Sequence, residues 1–173
     1  MVIEIIALFL AWISDKERSE LLEQTEIGVG IDPAREAFDQ AYEYIADYDL
    51  GVDDIENFDE RMQAIEEIIE ENIRWVGLEM DDPVLYIGGV ELPEEARQRG
   101  YGRAIVQGIE AWAYEQGARV SVLYATDIGP PRHPTEIRVS SQGFWEKMGY
   151  DLSVPASWGG GVMVKYLKPP KQR

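Results

Sequence analysis

The residues with the most chemistry in them lie between Leu92 and Arg103, L-P-E-E-A-R-Q-R-G-Y-G-R, where an apolar stretch runs into a glycine-spaced turn that opens a helix. Gly100 and Gly102 carry no Cβ, so the backbone there can press against a ligand. The first N–H groups of a helix beginning near Tyr101 have no carbonyl partners and point at whatever sits at its N-terminus. The helix dipole favours an anion in that place, and Arg97, Arg99 and Arg103 put three cations around the same turn. A diphosphate suits it. Spacing excludes two better-known phosphate loops: a Walker loop needs Gly-Lys, which occurs nowhere in the chain, and a dinucleotide fingerprint needs a third glycine where Ile105 stands.

What remains is R-x-x-G-x-G on Arg97, Gly100 and Gly102, and with it the sequence resembles the GNAT superfamily of acyl-CoA-dependent N-acetyltransferases. Some forty residues on, Gly143-Phe144-Trp145-Glu146-Lys147-Met148-Gly149-Tyr150 is similar to the second signature of that family, F-Y-x-K-x-G-[FY]. The order of elements fits as well: a strand over 84–92, the turn, a helix over 101–116 stopped by Gly117, a strand over 120–126, a helix from about 135 to 148, then a strand. Gly149 suits a helix C-cap. The resemblance covers about residues 84–167 and implies an α/β fold, a GNAT-type mixed sheet.

The resemblance also implies the chemistry. A neutral amine attacks the thioester of acetyl-CoA directly, with both substrates held together and no metal. On this chain the Leu92 N–H is the oxyanion donor and pairs with the pantetheine arm. The backbone amides of Gln98, Arg99, Gly100, Tyr101, Gly102 and Arg103, with the Arg97 side chain, take the pyrophosphate. Trp145 departs from the family, because it stands where many members have the tyrosine that protonates the thiolate, and an indole N–H is no acid near neutral pH. Tyr124 and Tyr150 are the candidate replacements. Glu91, Asp127 and His133 are the candidate bases, His133 within a proline-rich loop.

The first half of the chain has a different character. Residues 1–83 carry 24 acidic and 5 basic side chains, a net of −19, whereas 84–173 carry 9 and 11, a net of +2. The apolar spacing there is helical: residues 1 to about 26 with an all-round apolar start, a run from Asp32-Pro33 to Gly51 on Phe38, Ala41, Tyr42, Ile45 and Tyr48, and a longer run on Phe58, Met62, Ile65, Ile69 and Val76. No alternating strand stands out before Val84, so the expected organisation is an acidic helical segment, 1–83, packed on or appended to a GNAT-like core, 84–173, whose N-terminal strands are reduced. Trp75, Trp112 and Trp158 read as core. The rival expectation is a GNAT fold without catalysis that binds CoA or a protein through its acidic helices.

Composition narrows the partners. With no cysteine and one histidine, a disulfide framework, a thiolate metal site and a cysteine nucleophile are excluded. The acidic field opposes nucleic acid and favours a cationic amine, carried by a small molecule or a protein. The apolar run 2–13 is broken by Glu4 and falls short of the ~20 residues of a membrane span. A cytoplasmic location is expected, and the apolar first helix leaves a homo-oligomer or protein partner open.

Overall fold

The structure is a computed structural model and describes residues 2–126, 141–157 and 159–170. Along the chain the elements are α1 (Val2–Phe9), α2 (Asp15–Gln24), β1 (Glu26–Pro33), α3 (Ala34–Tyr42), α4 (Asp47–Leu50), α5 (Phe58–Trp75), β2 (Pro83–Glu91), a 3-10 turn (Glu94–Ala96), α6 (Tyr101–Glu115), β3 (Val120–Ala125), α7 (Gln142–Lys147), β4 (Asp151–Pro155) and β5 (Gly161–Tyr166). The five strands form one sheet in the order β1-β2-β3-β5-β4, with β2 and β3 parallel and the other pairs antiparallel.

Strand alternation sends the two faces of this sheet into two cores. Leu85, Ile87, Leu123, Ala125 and Met163 meet Ile6, Leu21, Ile105, Ile109 and Trp145, so α1, α2, α6 and α7 cover one face. Val84, Val122, Val154 and Val162 meet Phe38, Ala41, Ile69 and Ile73, so α3 and α5 cover the other. The crossover from β2 through α6 to β3 joins parallel neighbours and puts α6 on the first face.

The acidic half is less uniformly helical than its spacing suggests. Glu26–Pro33 is a strand, paired antiparallel with β2 from Glu26↔Glu91 to Pro33↔Pro83. Its Ile27, Val29 and Ile31 pack into the core of the first face, while a Cβ on the intervening Gly28 would stand 3.7 Å from the Gly89 nitrogen of β2. The single N-terminal helix divides into α1 and α2 at Leu10–Ser14, where the Ser14 hydroxyl caps α2 by accepting the Glu17 N–H at 3.2 Å. α1 lies against α6 and not under α3 and α5; Ile6 and Leu10 are buried, while Ile3, Leu8 and Trp12 are exposed. The run from Asp32 breaks after Tyr42 and resumes as α4, which Gly51 ends in a left-handed cap.

α5 differs from expectation at both ends. At 18 residues it is about 27 Å long, twice the length of the 9-residue α3 it packs on, so Phe58 and Met62 overhang and are exposed. Trp75, at its last position, is 85% exposed and is no core residue. Trp112 packs against the core, and Trp158 lies outside the described residues.

Candidate functional site

β2 and β3 are bonded to each other only over Leu85–Ile87 and Ser121–Leu123. Past those residues each keeps its outer neighbour, β2 pairing with β1 as far as Glu91 and β3 with β5 as far as Ala125. The two parallel strands therefore separate at their carboxyl ends, the edge of an α/β sheet at which ligands bind. The divergence has a local cause. The register jumps between Gly28 and Val29, so that Gly28 faces Gly89 while Val29 faces Ile87, and Gly88 is the extra residue of a bulge. Beyond it the alternation changes phase: Val90 and Leu92 join Ile87 on the α6 face, and Glu91 is turned to the α3 face.

The chain then makes the glycine-spaced turn. Gln98, at φ 64°, and Gly100, at φ 80°, both have left-handed backbone, and Gly100 is the N-cap of α6. A Cβ built on Gly100 would meet nothing within 4 Å, so the turn is open on that side. Ala104 N–H, bonded to the Gly100 carbonyl at 3.2 Å, is the first in α6 with a partner one turn back. The amides of Tyr101, Gly102 and Arg103 precede it, as the first turn of a helix requires. Arg97, Arg99 and Arg103 are exposed, and Arg97 Nε donates to the Leu92 carbonyl at 3.3 Å. Left-handed backbone, free space beside it and a 15-residue helix behind it make a turn that fits a pyrophosphate.

The N-terminal helices brace this turn. Tyr101, the first residue of α6, has a buried ring lying 6.0 Å from that of Trp12, and its hydroxyl donates to Glu17 Oε1 at 2.7 Å. That hydrogen bond is the main reason its pKa is raised. From the other side comes α7. A Cβ on Gly102 would stand 3.4 Å from Leu92 Cδ1 and 3.6 Å from the Phe144 ring, so strand end, helix start and α7 close on one another at this glycine.

Residues 31–150 of this chain match the model of the Acetyltransferase (GNAT) family, well over half of its length. The chain belongs to the GNAT acetyltransferase family. A search of curated proteins finds no match. GNAT enzymes are acyltransferases and generally use acetyl-CoA, and the match begins in β1, far ahead of Val84. Among the described residues no group of three or more His, Cys, Asp or Glu side chains is placed to hold a metal, and no helix is long and apolar enough to cross a membrane.

The sequence-derived acid and base candidates fall in different places. Tyr124, on β3 just past its last link to β2, lies on the α3 face and is half-buried. Glu91 is exposed, at the end of β2 and on the same face. Tyr150 is excluded as the proton donor: it is fully buried, and its hydroxyl bonds Glu110 at 3.0 Å and Ser121 at 2.8 Å, at the far end of β3 from the divergence. Burial, and next the Glu110 charge, raise its pKa well above 10. Trp145 is a core residue, edge-on to Phe144 and Tyr150 at 5.0 and 5.3 Å. Asp127 and His133 lie outside the described residues. Sequence reasoning missed two tyrosines. The Tyr44 ring lies 5.4 Å from that of Tyr124, and Tyr86 is beside them; no motif marks the group because it draws on the turn after α3, on β2 and on β3.

Proposed function

We propose that the protein is an acyl-CoA-dependent N-acyltransferase that joins acetyl-CoA and an amine at the gap between β2 and β3. The observation that carries this reading is the separation of the two parallel strands directly before the left-handed turn and the N-terminus of α6. The amides of Gln98 to Arg103 and the exposed arginines hold the pyrophosphate on the α6 side, and the Leu92 N–H polarises the acyl carbonyl. Acetyl-CoA supplies the thioester whose carbonyl carbon the amine attacks. Glu91 takes the ammonium proton, directly or through water, and Tyr124 gives a proton to the departing sulfur. Both stand on the α3 face, so the amine approaches from there. The test is release of free CoA thiol from acetyl-CoA with a panel of primary amines. Amine-dependent release with a matching acetylated product supports the reading; a chain that binds CoA yet acetylates no amine contradicts it.

A further inference from the structure

The α3 face of the strand divergence carries two tyrosines, Tyr44 and Tyr86, that neither the turn nor the acid and base candidates require, grouped with the acid candidate Tyr124. Tyr86 pairs at its Cα with Val122, and Tyr124 is two residues further along β3, so the two tyrosines are diagonal neighbours on one face. The Tyr86 ring lies along its strand toward the bulge, Cε1 being 3.3 Å from a Cβ built on Gly88. Tyr44 completes the group, its ring tilted 34° to that of Tyr124 and 61% exposed. Burial raises the pKa of Tyr86, and the neighbouring charges of Tyr44 and Glu43 raise it further.

The surrounding field has a definite sign. α3 begins beside the segment leading into β2, where Ala34 N–H bonds the Asp82 carbonyl at 2.8 Å, and it ends next to Tyr44, at the carboxyl end of β3. Its C-terminus, the negative end of its dipole, therefore lies beside the cluster, and Glu43 is its C-cap. Across the sheet, at the same edge, stands the positive end of α6. One mouth of the gap favours an anion and the other a cation.

Tyrosine faces and a carboxylate hold a cation by the ring quadrupole and by charge. They stabilise the ammonium over the neutral amine, and only the neutral amine attacks a thioester. A nitrogen resting on this cluster is thus not the one that reacts. The geometry points to Tyr44, Tyr86 and Tyr124, with Glu43, as a site for a second, protonated amino group of the acceptor, which makes the acceptor a diamine or longer polyamine. This inference rests on the acyltransferase reading for the reaction but not for the binding.

Calorimetry with 1,4-diaminobutane and with n-butylamine, each with and without saturating CoA, tests it. The diamine should bind at least about tenfold more tightly than the monoamine. Tyr44→Leu should remove most of that advantage, whereas Tyr44→Phe, which keeps the ring, should retain it; Glu43→Gln should weaken the diamine alone. CoA affinity should be the same in all three variants. Equal binding of the two amines, or equal diamine binding by wild type and Tyr44→Leu, overturns the inference and leaves the acyltransferase reading standing. Failure of the wild type to bind CoA, with the diamine preference intact, overturns that reading and not this site.

Discussion

A thiolate leaving group needs a donor with an exchangeable acidic proton, which a phenol offers and an indole does not. Tyr124→Phe removes only the hydroxyl, and kcat should fall by roughly 10²-fold with CoA affinity nearly unchanged, as steady-state rates and a CoA titration would show. Trp145→Phe should lower stability more than it lowers the rate at saturation, because the indole sits between the rings of Phe144 and Tyr150. A silent Tyr124→Phe with a collapsed rate in Trp145→Phe would mean that the proton comes from elsewhere. Beneath those aromatic rings lies a partly buried polar group. Glu110 accepts from Lys165 Nζ at 2.9 Å and from the Tyr150 hydroxyl, and Lys165 also donates to the Met148 carbonyl at 2.7 Å. Burial raises the Glu110 pKa from 4.5, and the Lys165 contact only partly offsets it. A carboxyl whose pKa is raised by folding binds more protons in the native state. Its contribution is fully present below pH 4.5 and declines as pH rises through the folded value. Denaturant midpoints taken upward from that pH should therefore fall in wild type, and Glu110→Gln should flatten that part of the profile.

At the level of elements, α1 and α6 approach each other closely at one glycine. A Cβ on Gly108 would lie 2.7 Å from Ile6 Cα, so Gly108→Ala must push the two helices apart. Overpacking of this kind costs about 1–3 kcal/mol, against a gain in helix propensity of at most about 1 kcal/mol. A net loss in the denaturant midpoint is expected, and an unchanged or raised midpoint would show that α1 does not bind there. The run from β2 through α6 to β3 is legible in the sequence to within a residue or so, because apolar strands, a glycine turn and a Gly117 stop mark each boundary. β1 is not. Ile27, Val29 and Ile31 do alternate, but glycine holds the other positions, and its low strand propensity hides a strand that pairing with β2 supplies. Two signals were present in the residues: Gly88-Gly89 inside a strand pattern marks the bulge, and Ser14-x-x-Glu17 marks a new helix start. The tyrosine cluster had none, since it depends on α3 ending where β3 ends.

For the molecule as a whole, the −19 of residues 1–83 is distributed through helices on both faces of the sheet and through β1, and does not form a separate acidic appendage. If this field draws in a cationic acceptor, shortening the Debye length from about 10 Å at 0.1 M salt to about 3 Å at 1 M should raise KM for the amine more than it changes kcat. Acetyl-CoA must be kept saturating, because its phosphates respond to salt as well, and a KM independent of salt would leave the acidity without a part in recruitment. The first and second halves meet at the turn, where Trp12 and Glu17 brace Tyr101 and Phe144 closes on Gly102. Everything proposed for the chemistry depends on an acyl-CoA sitting there. The direct measurement is a calorimetric titration of CoA into the wild type and into Gly100→Asn. Asparagine tolerates the left-handed backbone of Gly100 and places a side chain in the open space beside it, so the fold survives while the approach of a pyrophosphate is obstructed. Saturable one-to-one binding by the wild type, weakened at least about tenfold in a variant with the same unliganded Tm, is the predicted result; no binding by the wild type, or equal affinity in the two proteins, would contradict it.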